Sequence, residues 1–201
     1  STLMRSSAAS DVYKRQSHIF IDGFGGMTQG LFATLIIGTM IQQIGLLIGG
    51  STGNVIYLLG KAAAALTSAG IGVGVAVKYG ESPLVTVSAA VAAMVGGYAG
   101  KITGGTFFVD GNAVLAGPGE PLGAFIAAFA GITCGHLVSG KTKVDIIVTP
   151  VITIGAGSVV GLLVGPPISQ MMTGLGSIIN WATEQRPFIM GIVVSVVMLS
   201  L

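Results

Sequence analysis

The sequence predicts an all-α fold: a polytopic bundle of integral membrane helices with glycine-rich helix packing and one candidate re-entrant loop. Three observations predict it. First, Gly119, Gly123, Ala127, Gly131 and Gly135 place a small residue at every fourth position of an apolar segment. Four residues are slightly more than one helical turn, so these positions form one stripe. A bare stripe lets a second helix backbone approach, and close packing of that kind holds helices together in lipid. Second, only 8% of the 201 residues are charged and 52% are hydrophobic, with a mean hydropathy of +0.89. A soluble domain carries roughly 25% charged residues, so this chain lacks the charge to cover a water-facing surface. Third, apolar stretches recur along the chain, and the complete ones lie near the roughly 17–25 residues that cross a hydrocarbon core.

The elements follow in order. Residues 1–18 are expected to be a non-native or disordered leader that takes no part in the fold. The run 6–16, Ser-Ser-Ala-Ala-Ser-Asp-Val-Tyr-Lys-Arg-Gln, resembles a translated adapter or assembly scar, and it lacks the apolar core of a signal peptide. Residues 19–201 are expected to form one membrane-embedded domain, truncated at its C-terminal end. Apolar stretches are expected over 25–48, 55–77, 84–100, 121–138 and 146–164, with a sixth starting near Pro187. Val/Ile runs within them could suit strands, but their length exceeds the usual 3–10 residues and open sheet edges are not tolerated in lipid. Pro166 and Pro167 are expected to stop the fifth helix. Ile168, Met171, Met172, Leu175, Ile178 and Ile179 then share a face of a separate amphipathic helix ending near Trp181, which suits the aromatic belt of a bilayer.

Small-residue spacing recurs at Gly26, Gly30, Thr34 and Gly38, at Gly96, Gly100 and Gly104, and at Gly157, Gly161 and Gly165. Tight packing explains these stripes, and so would helices that slide during transport; spacing does not separate the two. Loops carry most of the charge: Lys78 and Glu81, Lys101 and Asp110, Lys141, Lys143 and Asp145, Glu184 and Arg186. Their arrangement gives a thin positive-inside preference for a cytoplasmic N-terminus.

Composition also excludes classes. A net charge of +2 without basic runs gives no footprint for nucleic acid. The single cysteine, Cys134, allows neither an internal disulfide nor a cysteine-based zinc site. No Walker loop, GxSxG, HExxH or dinucleotide fingerprint occurs, and the sequence calls for no catalytic residue, no metal and no cofactor.

The segment 111–123 is the candidate site. Glycines and prolines surround a single carboxylate, Glu120, which is the signature of a sharply turning loop. Pro121 suits the first turn of the next helix. Two readings of Glu120 stand side by side. It either sits at the helix N-terminus because the dipole favours a negative charge there, or it is presented to a polar, hydroxyl-bearing substrate by a loop that dips into the bundle. Gly119 and Asn112 belong to the same segment. Gln42, late in the first stretch, either hydrogen-bonds a neighbouring helix or faces a substrate. Lys61 reads as a snorkelling lysine, and His136, at the end of the fourth stretch, reads as an interfacial residue without a metal partner.

Four phrases together resemble a known family: residues 26–39 (GMTQGLFATLIIGT), 119–124 (GEPLGA), 140–147 (GKTKVDII) and 179–192 (INWATEQRPFIMGI). They are similar to the EIIC-type permease component of the bacterial phosphoenolpyruvate-dependent sugar phosphotransferase system. The resemblance covers residues 19 to 198, about the first half of a family member. It implies a multi-pass protein of the bacterial inner membrane that takes up a sugar and exposes it to the cytoplasm. There a IIB partner, charged through IIA, donates the phosphoryl group. It also implies homo-oligomerisation and a glutamate in a re-entrant loop that binds sugar hydroxyls, to which Glu120 corresponds. The histidine that lies beside the sugar in some such permeases has no match, because His136 sits in a different setting. Two rival functions follow from the residues alone: an ion-coupled transporter or exporter without phosphorylation, and a non-transporting membrane scaffold subunit. Phosphorylated product that depends on IIB excludes the first, and ligand-induced stabilisation excludes the second.

Overall fold

The computed structural model describes residues 21–109, 112–115, 117–141, 144–185 and 195. Residues 1–20, the loop residues Asp110, Gly111 and Lys143, Arg186, the sixth apolar stretch apart from Ser195, and the side chains of Ile179, Trp181 and Glu184 lie outside what is described. Helix dominates. The first stretch forms α1 (Gly23–Leu31), a wide π-helical turn (Phe32–Ile36) and α2 (Ile37–Ile48), which together run as one 26-residue apolar span. Gly49 and Gly50, both at positive φ, turn the chain sharply into α3 (Gly50–Ala65). After Leu66 comes α4 (Thr67–Lys78), bent 52° from α3. Ser82 then accepts a hydrogen bond from the Val85 amide, and with Pro83 at the first helical position it starts α5 (Pro83–Gly97). A break at Tyr98 leads into the short α6 (Ala99–Thr103). A two-stranded antiparallel hairpin follows, β1 (Phe108–Val109) with β2 (Asn112–Ala113). Next come α7 (Pro121–Val138) and the 41-residue α8 (Asp145–Gln185).

Among the described residues three helices are long and apolar enough to cross a membrane: Gly23–Ile48, Pro121–Val138 and Asp145–Ile178. The bent pair α3–α4 makes a fourth if taken as one span. At 1.5 Å per residue the 15-residue α5 reaches only about 22 Å, short of a full crossing.

The centre of the bundle is built by α4, α5, α7 and α8. Ile71, Val75 and Ala76 of α4 meet Val85, Ala89 and Ala93 of α5 and Ala124, Phe125, Ala128 and Ile132 of α7. Small residues dominate because the backbones lie so close together. A Cβ on Gly123 would stand 2.7 Å from the Gly96 carbonyl oxygen, and one on Gly131 would stand 2.7 Å from that of Thr153. The stripe Gly157, Gly161 and Gly165 of α8 packs on Ala127, Gly96 and Ala99. The stripe of the first span lies on the second stretch in the same way, with Gly26 against Gly74 and Gly38 against Gly60 and Ala64. The outer apolar residues of α2 and α3, among them Ile44, Leu47, Leu58 and Leu59, are exposed. That surface suits hydrocarbon.

Three expectations need correction. Gly119 is not part of the α7 stripe: the helix begins at Pro121, and Gly119 sits before it at φ 73°. Likewise, the break at Tyr98 divides Gly96 from Gly100, so those glycines do not share one helix. Pro166 and Pro167 do not stop the fifth helix; α8 runs through both, and the expected separate amphipathic helix is its continuation. Two prolines remove two amide donors, but membrane helices tolerate such gaps where neighbouring helices support them. Here Gly165 rests on Ala99, Ile168 is buried and Ser169 lies against Gly100. The expected amphipathic face is only partly kept, with Ile168 inside and Met171 and Ile178 exposed.

Candidate substrate site at the helix breaks

Interruptions of regular helix converge on one place. Leu66 separates α3 from α4, Tyr98 separates α5 from α6, and residues 117–120 lead into α7. Broken helices leave backbone groups without intrahelical partners, and in a bundle these must be satisfied by neighbours. The Glu120 amide donates to the carbonyl of Gly97, the last residue of α5, at 2.7 Å. Ser68, fully buried on α4, donates its hydroxyl to the Pro118 carbonyl at 3.0 Å. The Tyr98 hydroxyl lies within reach of the Gly117 carbonyl and of the Ala65 carbonyl, the latter at 3.1 Å. Gly117 and Gly119 both take positive φ, which lets the loop fold this tightly.

The loop carries Glu120 to the wall of a cavity of about 240 Å³, lined by Gly97, Gly100, Lys101, Pro118, Gly119, Glu120 and Ser169. Glu120 is the N-cap residue of α7, yet its side chain makes no capping hydrogen bond. The Lys101 ammonium lies 5.2 Å from the centre of the Tyr98 ring, at cation–π distance. A second cavity of about 310 Å³ shares Gly100 and Ser169 with the first and adds Thr103, Gly104, Pro166 and Gln170.

A family model described as "Phosphotransferase system, EIIC" matches residues 21–201. The chain belongs to the EIIC family of the phosphotransferase system. It is therefore a multi-pass membrane protein and the sugar permease component of that system, and the apolar spans agree. Comparisons with curated proteins and with solved structures each gave no significant match.

Of the residues singled out in the sequence of this EIIC protein, Glu120 and Gly119 line the cavity together. Asn112 lies in the exposed hairpin, paired with Val109. Gln42 lies on α2, where its backbone amide and side chain abut Gly60 of α3. Neither lines the cavity beside Glu120. His136 sits at the far end of α7 and pairs with Glu81 at 3.0 Å, the histidine exposed and the carboxylate buried. At 1.5 Å per residue that end lies about 25 Å from Glu120. Among the described residues no cluster of three or more metal-ligating side chains occurs. The sequence reading passed over Ser68 and Tyr98. The available signal was a tyrosine set in the glycine-rich run Gly96-Gly97-Tyr98-Ala99-Gly100, where a buried hydroxyl needs a partner.

Proposed function

We propose that this EIIC protein binds its sugar at Glu120 and passes it across the bacterial inner membrane, where a IIB partner phosphorylates it. One observation carries the reading. Glu120 stands where three chain interruptions meet, on a cavity wall shared with Lys101 and Ser169, and its carboxylate is not used to cap α7. An ionised carboxylate accepts several hydroxyl hydrogen bonds, while a lysine and a serine donate to other sugar oxygens. Non-helical backbone at membrane depth is expected where it lines such a cavity, and sites at broken helices are a recurrent transporter design. Glycine-lined contacts between α7 and α8 provide surfaces on which one group of helices moves against another. Assembly into a homo-oligomer belongs to the same proposal.

The test uses the full-length protein in cells lacking other uptake routes, with radiolabelled hexoses, pentoses and hexitols supplied one at a time. Glu120→Gln is expected to weaken apparent affinity by about ten-fold or more, the value of a hydrogen bond to a charged group. Glu184→Gln is expected to change it less than about two-fold. Phosphorylated sugar is expected only when IIB and IIA are supplied. Equal effects of the two substitutions would refute the site, and unmodified sugar accumulating without IIB would refute the coupling.

A further inference from the structure

We propose that Tyr98 is the positioning residue for Glu120, fixing the 117–120 loop through one hydroxyl proton; the proposal rests on Glu120 being the sugar-binding carboxylate. The Tyr98 side chain is fully buried at the break between α5 and α6. Its ring is held by the Lys101 ammonium at 5.2 Å and by the Phe107 ring at 5.4 Å. The hydroxyl is therefore delivered to one place. There it meets two carbonyl oxygens, that of Gly117 in the loop and that of Ala65 at the end of α3.

A phenol carries a single proton, so it serves one carbonyl fully at a time. Given to Gly117, the proton ties the loop to the break between α5 and α6. Given to Ala65, it leaves the loop held by two bonds, from Ser68 to Pro118 and from the Glu120 amide to Gly97. Three of the four residues from 117 to 120 are thus anchored through their backbone. The fourth, Gly119, is confined by contact, since a Cβ there would stand 2.5 Å from the Ser68 hydroxyl oxygen. With the loop fixed, the Glu120 side chain is left to meet the substrate. Tyr98 itself is not among the residues lining the cavity. It acts through Glu120, and a binding carboxylate works only when its support holds it within a fraction of an ångström.

The test measures KM and Vmax for uptake of the same radiolabelled hexoses, pentoses and hexitols by the full-length protein. Tyr98→Phe keeps the ring and removes only the hydroxyl. It is expected to raise KM about three- to ten-fold, the worth of one hydrogen bond, with Vmax within about two-fold of wild type. In a Glu120→Asp background, where the carboxylate is already displaced, the same change is expected to cost less than about two-fold, because the two residues act as a unit. Should Tyr98→Phe fail to accumulate in the membrane, Ser68→Ala, which removes the anchor at Pro118, is expected to give the same pattern. An unchanged KM in these variants, or an equal loss in both backgrounds, would overturn the positioning role. Loss of uptake in Glu120→Gln together with an unaffected Tyr98→Phe would overturn it while leaving the Glu120 site intact. Unimpaired uptake in Glu120→Gln would remove the site first.

Discussion

Two glycines of α8, two residues apart, should respond differently to the same substitution. Gly157 is buried, and an added Cβ would stand 2.6 Å from the Ala127 carbonyl oxygen and 2.6 Å from the Ala92 methyl. Ordinary contact begins near 3.4 Å, so α8 must retreat from α5 and α7 by about 0.8 Å. A gap of that size forfeits roughly a quarter to a half of each dispersion contact along the seam. Overpacking of this kind costs about 1–3 kcal/mol. Gly155 is exposed and an added Cβ would meet nothing within 4 Å. There alanine brings only its higher helix propensity, about 1 kcal/mol. For a chain of this size each kcal/mol moves the melting temperature by about 2–4 °C. Thermal unfolding of the detergent-solubilised full-length protein, followed by circular dichroism, should show Gly157→Ala melting roughly 2–12 °C lower and Gly155→Ala unchanged or a few degrees higher. A Gly157→Ala protein as stable as wild type, or equal losses at both positions, would refute the claim that the bare stripe is a contact surface.

Gly119→Ala combines left-handed backbone, costing about 1–2 kcal/mol for a residue with a Cβ, with a 2.5 Å approach to the Ser68 hydroxyl. It is expected to lower the melting temperature and to reduce sugar uptake together, measured in the same preparation.

The bundle was legible in the sequence because lipid imposes simple rules. Low charge and repeated apolar stretches placed the first span and α7 within a few residues, and four-residue spacing of small side chains named most of the packed faces. What the sequence hid were the interruptions. Nothing in the run Ala62-Ala63-Ala64-Ala65-Leu66-Thr67 is a helix breaker, yet α3 ends there. The Thr67 hydroxyl bonds the Ala64 carbonyl at 2.6 Å and Tyr98 lies 3.1 Å from that of Ala65. The bend is thus supported by a local side-chain bond and by a residue 33 positions away. Conversely, Pro166 and Pro167 read as a stop, but packing of Gly165 and Ile168 carries α8 through them. In both cases a tertiary contact adds what no local pattern records. The candidate site divides the same way. Glu120 and Gly119 were visible from the glycine–proline loop, whereas Ser68 and Tyr98 join it only through folding.

Direct binding tests the central claim most sharply. Isothermal titration of the detergent-solubilised full-length protein with unlabelled hexoses, pentoses and hexitols should find at least one that binds wild type. For that sugar Glu120→Gln should weaken the Kd by about ten-fold or more while the protein still melts cooperatively. An unchanged Kd in the Glu120→Gln protein would contradict the account.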